Sequence, residues 1–274
     1  MNIALISGTG FIVAVGGELV RRLPGIAAAV LLGATVFLPS VIFLFMPAPG
    51  PDRRLASESF LQFNRDLLSL VRRREIVIVL LLFLSPCSTF TLTNLLGGLG
   101  ADFHASARAV SLAGGVGAFI PGLLGCFLFP VIARRVRMRW FYFANGILGC
   151  LFTLSLVVLS HTTLTFALSV FGEFLFQAIA FSIQIGLVFE AIGPDNPLAA
   201  TTFSFLTAAT NVPITYVTLI DGHAYSIGGI TRMLFTDAAI GAATCTIAAI
   251  LLATFDSKVA RDKRHSIPFP QEES

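Results

Sequence analysis

The chain is a succession of apolar runs, each about 18 or more residues long, and a helix of that length spans a bilayer core. The runs fall at about 2–20, 25–46, 76–98, 109–133, 140–160, 163–190, 200–220 and 229–255, read at the hydropathy expected of spanning helices. Only 12% of the residues are charged, against about 25% in soluble domains, so polar groups are too few to cover a globule. The expected fold is an all-α integral membrane protein of about eight transmembrane helices. Alternation with period 2 is absent and the runs are too long for barrel strands, which sets a β-barrel aside. Glycine and proline inside several runs are compatible with spanning helices when neighbours satisfy the freed backbone groups.

Lysine and arginine orient the spans, because cytoplasmic loops carry the excess of basic residues. With the segment after residue 255 in the cytoplasm, that side collects Arg53, Arg54, Arg65, Arg72, Arg73, Arg74, Arg134, Arg135, Arg137 and Arg139. The tail adds Lys258, Arg261, Lys263 and Arg264, leaving Arg21, Arg22, Arg108 and Arg232 outside. Glu18 precedes Arg22 by one helical turn, and such a pair softens the local violation. Both termini are therefore expected in the cytoplasm. The linker 48–75 repeats Phe60, Phe63, Leu67, Leu70 and Val71 at helical spacing, with Ser59 and Gln62 placed for a capping box. It reads as an amphipathic helix on the inner membrane surface, its arginines facing anionic head groups. Trp140, at a span boundary, reads as an interface anchor.

Polar residues inside the runs are ordered. In FGEFLFQAIAFSIQIGLVFE, Glu173, Gln177 and Gln184 lie within about 40° of one another around a helix, in a stripe about 16 Å tall. A carboxylate at mid-bilayer costs about 2.5–3.5 kcal/mol, so something on that side must compensate. In TTFSFLTAATNVPITYVTLIDG, Ser204, Thr207, Asn211, Thr215 and Thr218 share about 80° of circumference, and Pro213 interrupts the ladder beside Asn211. CSTFTLTN sets Thr91 and Asn94 on one side of the third run, while Gly114, Ala118 and Gly122 make a small-residue stripe in the fourth. Any one of these residues can serve as interhelical glue, and threonine can bond its own backbone. Coordinated stripes on neighbouring runs, one holding an ionisable glutamate, favour a shared water-accessible cavity. Glu173 is then the expected protonatable or substrate-pairing group, lined by Gln177, Gln184, Asn94, Asn211 and Thr207. Asp237 is expected to pair with Arg232. His104, His161 and His223 fall in short outer loops and read as solvated.

No motif points to bond-making chemistry. The phosphate loop G-x-x-x-x-G-K-[ST], the zinc signature H-E-x-x-H and the nucleophile elbow G-x-S-x-G are missing from the sequence. The expectation is a protein that is not an enzyme and has no catalytic residues, no metal and no cofactor. Cys87, Cys126, Cys150 and Cys245 sit singly inside apolar runs and read as small buried hydrophobes, not as zinc ligands or a disulfide framework. The net charge of +3 resides between apolar segments, which argues against nucleic acid as a partner.

The layout resembles a major facilitator superfamily transporter. The resemblance is carried by the long basic linker 48–75, the six-span block that follows, and ARRVRMRW between the second and third spans of that block. There the family places a D-R-x-G-R-R type cytoplasmic motif. Arg134, Arg135, Arg137 and Arg139 match its basic half, while Ala133 stands where the acidic residue would precede them. RRLPGIAAAVLLGATVFLPSVIFLFMPAP also resembles the fifth-to-sixth helix region of AmpG-type muropeptide permeases. The resemblance implies a chain equivalent to helices five to twelve, the first four missing, with 1–47 as the last two helices of an N-terminal half. It makes 76–256 the C-terminal six-helix half and 257–274 a cytoplasmic tail. It further implies multi-pass insertion in a bacterial inner membrane and alternating access for a small organic solute, coupled to protons. In that family the first, second, fourth and fifth helices of each half line the pathway, and the two polar stripes fall on the fourth and fifth. The competing expectation is a truncated or non-transporting membrane protein, a fragment or an assembly partner.

Overall fold

The computed structural model describes residues 22–41, 73–193, 196 and 198–265, with a few isolated positions upstream of residue 73. Most of the expected span at 2–20, most of the 48–75 linker and the end of the 257–274 tail lie outside the described residues. Within the linker, Leu61, Gln62, Arg65, Leu68 and Ser69 are helical. Among the described residues every regular element is a helix, and four helices are long and apolar enough to cross a membrane.

Helix α1 covers Gly25–Ser40 and α2 covers Arg74–Leu84; the short α3, Leu92–Leu95, runs into a 3-10 turn at Leu96–Gly98. Then come α4 Ala107–Ala133, α5 Met138–Val158, α6 Thr163–Ile192, α7 Ala199–Ala209 and α8 Asn211–His265. Local chemistry sets several of these ends. Ser106 caps α4 by accepting from the Ala109 amide at 3.2 Å, and Thr162 caps α6 by accepting from the Thr165 amide at 3.3 Å. Gly193, at φ 71, takes the conformation that ends α6, its amide donating to the Phe189 carbonyl. Pro213 lacks an amide hydrogen and crowds the carbonyl four residues back, which accounts for the interruption at Thr210 between α7 and α8.

The third apolar run differs from expectation. Instead of one helix over 76–98, α2 stops at Leu84 and the chain is irregular as far as Thr91. Pro86 is the cause: it drives the preceding Ser85 to an extended φ of −81° and ψ of 152°. Ser88 and Phe90 then adopt positive φ of 54° and 50°, a conformation that costs non-glycine residues about 1–3 kcal/mol each. Long-range contacts hold the break. Ser88 Oγ donates to the Tyr142 carbonyl at 2.9 Å, Tyr142 donates its hydroxyl to the Cys87 carbonyl at 2.6 Å, and Cys87 is disulfide-bonded to Cys245. That bond corrects the reading of these two cysteines as separate small hydrophobes; Cys126 and Cys150 are free thiols.

Helix α8 folds back on itself. Gly228 (φ −145°, ψ 21°) and Gly229 (φ 64°, ψ −163°) leave helical geometry, dividing it into a first arm, 211–227, and a second arm from residue 230. In a straight helix Asp221 and Asp237 would lie about 24 Å apart at 1.5 Å per residue. Instead they face each other across the two arms.

Two buried apolar clusters carry the packing. One gathers Phe83, Cys87, Tyr142, Ile183, Leu187, Leu206 and Cys245. The other gathers Leu92, Phe103, Leu156, Phe166, Val170 and Leu234. Between these clusters α5 presents Gly146, Gly149, Cys150 and Thr153 and the second arm of α8 presents Asp237 and Gly241, and the candidate site lies there.

Candidate functional site

The polar stripe of α6 faces α5 and the short helix α3, while its opposite face packs on α4. A Cβ placed on Gly125 of α4 would come within 2.7 Å of Ala178 Cβ and 2.9 Å of the Leu175 carbonyl, so α4 and α6 touch nearly backbone to backbone. On the stripe, Glu173 is 1% exposed and accepts a hydrogen bond from Thr153 Oγ1 at 2.7 Å. Gln177 donates to Thr93 Oγ1 at 2.6 Å, and the buried Gln184 faces the Tyr142 hydroxyl. Each of the three thus reaches a different position on a neighbouring element.

The remaining predicted residues are dispersed. Asn94 is exposed although Thr91, three residues earlier, is 0% exposed. The expected shared side of that run does not form, because the helix there is only Leu92–Leu95. Asn211 is exposed and donates weakly to the Thr207 carbonyl at 3.4 Å; Thr207 in turn bonds the Phe203 carbonyl of its own helix at 2.6 Å. Arg134, Arg135 and Arg137 are exposed at the turn between α4 and α5. Arg139 forms an ion pair with Glu75 at 2.5 Å and approaches Glu190 at 4.0 Å, drawing the start of α2, the start of α5 and the end of α6 to one side of the molecule. No ion pair joins Asp237 to Arg232 among the described residues, and Arg232 is exposed. Five residues turn a helix by about 500°, so the two side chains point some 140° apart.

Between the two apolar clusters lies a small cavity of about 20 Å³. The irregular segment supplies Ser88, Thr89, Phe90 and Thr91; α5 supplies Gly146, Gly149, Cys150 and Thr153; the second arm of α8 supplies Asp237, Ile240 and Gly241. Glycine is needed at Gly146, where a Cβ would sit 2.6 Å from Cys245 Sγ and 2.7 Å from Ser88 Oγ. Behind the wall stand two further acids. Glu173 is joined to it through Thr153, and the fully buried Asp221 faces Asp237. The hydroxyls of Thr89 and Thr91 have no hydrogen-bond partner among the described residues.

None of the six pathway residues expected from sequence lines this cavity. Sequence pattern singled out Thr91 only as a companion of Asn94, gave no sign of Thr89 or Asp221, and gave Asp237 a different partner. A proline followed by Cys-Ser-Thr in mid-run was the available signal for a broken helix, and Gly228-Gly229 was the signal for a tight return. Comparison with protein-family models, with curated proteins and with solved structures finds no match for this chain.

Proposed function

We propose that the chain is the membrane-embedded body of a secondary transporter that moves a small organic solute by alternating access, coupled to protons. The observation that carries this reading is the polar layer. Carboxyl groups from α6 and from both arms of α8 gather between two apolar clusters, beside a discontinuous helix. A carboxylate at mid-membrane costs about 2.5–3.5 kcal/mol, and one interhelical hydrogen bond returns only about 0.6 kcal/mol on average, so a purely structural role leaves most of the cost unmet. Irregular backbone at membrane depth is tolerated where it is buried in protein or lines a cavity, as the Ser85–Thr91 segment does. In this reading the chain follows the major facilitator layout over helices five to twelve, as a multi-pass protein of a bacterial inner membrane with both termini cytoplasmic. Glu173 carries the proton, and Gln177, Gln184, Asn94, Asn211 and Thr207 bond the solute as the halves rock.

The second reading is a non-transporting membrane protein. It is favoured by the stripe itself, since Glu173, Gln177 and Gln184 are each engaged by a neighbouring element. Glu173→Gln separates the two. The amide keeps the shape and can still accept from Thr153 but cannot titrate. In vesicles containing the full-length protein and an internal pH dye, solutes from a panel of sugars and short peptides should drive proton entry with the native chain and not with the variant, at equal membrane expression. Proton entry that is unchanged in the variant removes Glu173 from coupling.

A further inference from the structure

We infer that the cavity beside the Ser85–Thr91 break is a sodium site, with Asp237 as its charged ligand and the Thr91 and Thr89 hydroxyls as neutral ones. Thr91 is 0% exposed, lines the cavity, and its hydroxyl has no hydrogen-bond partner among the described residues. A buried hydroxyl without a partner normally costs free energy, so such a group marks a missing ligand or water. Thr89 repeats the arrangement two residues earlier. The carboxyl groups around the site come from α6 and from both arms of α8, while the irregular segment and α5 contribute hydroxyls and a thiol. Asp237 lines it, Asp221 faces Asp237, Glu173 is bonded to the lining Thr153, and the Cys150 thiol completes the α5 wall. Among the described residues no lysine, arginine or histidine lines the cavity.

Size and ligand chemistry choose the ion. About 20 Å³ admits one water-sized guest and no more. Magnesium keeps several of its waters and calcium takes six to eight oxygens, so neither fits. Zinc and copper favour thiolate and imidazole sets, and among the described residues no group of three histidine, cysteine or acidic side chains is placed to hold a metal. A small monovalent cation that accepts hydroxyls and a single carboxylate is what remains, and it would also answer the concentration of acids at this depth. The inference rests on the carrier reading only for the use of the ion in transport; binding stands or falls by itself.

The test is binding to the purified full chain in nanodiscs. Saturable uptake of ²²Na⁺ by the native protein, and an unfolding temperature higher in NaCl than in KCl or choline chloride at equal ionic strength, are the expected results. Thr91→Val keeps the shape and removes only the hydroxyl; it should weaken sodium binding about tenfold or more, while its unfolding temperature in choline chloride stays within a few degrees of the native value. Asp237→Asn should abolish saturable binding. Unfolding temperatures that are equal in the three salts, with no saturable ²²Na⁺, would mean that the cavity holds water alone and would overturn the site. Sodium binding left intact in both variants would overturn the assignment of its ligands. Loss of transport with sodium binding retained would count against the carrier reading and leave the site standing.

Discussion

Thr153 makes the one hydrogen bond that Glu173 receives among the described residues, and both side chains are buried. Removing the donor by Thr153→Val should destabilise the protein by about 0.6–1.7 kcal/mol, the span measured for interhelical bonds inside membranes. Unfolding in mixed detergent micelles reads that loss. A change below the error of the method would mean that Glu173 finds another donor at once. Because Gln can accept the same bond, Glu173→Gln should retain native stability in the same assay, and a loss above about 2 kcal/mol would mark the carboxyl as part of a larger buried network. At this scale the sequence was informative about the side of α6 on which the polar groups lie, since that follows from 100° per residue. It was silent about the partners, because Thr153 and Thr93 sit on other elements and meet the stripe only through packing.

Helix α4 meets α6 at glycine. At Gly125 an added Cβ would press on the Leu175 carbonyl and on the Ile179 amide at 3.2 Å, and backbone cannot rotate away as a side chain can. Gly125→Ala should therefore cost about 1–3 kcal/mol by overpacking. At Gly117, one face away, the nearest atoms lie at 3.7 Å or beyond, and Gly117→Ala should be neutral or slightly stabilising through helix propensity. Paired unfolding measurements on the two variants check this, and equal effects would contradict the close approach at Gly125. The small-residue pattern was visible in the sequence. The buried face is Gly115, Ala118, Pro121, Gly122 and Gly125, so the expected Gly114 stripe was right at Ala118 and Gly122 and shifted at its start. The broken third run was missed because hydropathy averages over a window, and one Pro86 inside SPCSTF changes the backbone without changing the average.

Across the molecule, the disulfide and the charged ends tie remote parts together. Cys87 and Cys245 are separated by 158 residues. Maleimide labelling of the unfolded chain should count two thiols, Cys126 and Cys150, before reduction and four after it. Four thiols before reduction would show that the tether does not form. Orientation has its own test. Arg139, Glu75 and Glu190 meet at the end bearing the basic turn, and Ser160, between α5 and α6, is exposed at the other end of α5. Reporter cysteines at Ser57 and Ser266 should be protected from an impermeant reagent in intact cells, and one at Ser160 should react. Labelling of Ser57 or Ser266 from outside would invert or break the map.

Hydropathy and helical period are local properties, written in consecutive residues, and they determined the helical class, the long apolar elements and the polar side of α6. What depended on chain segments returning to one another was decided only in three dimensions. The turn at Gly228–Gly229 sets Asp221 against Asp237, the break after Leu84 brings Thr91 into the wall beside Asp237, and Cys87 meets Cys245 across the same layer. Each of these pairings joins residues at least 16 positions apart, far beyond the four-residue reach of helical neighbours, so no spacing rule could have specified them.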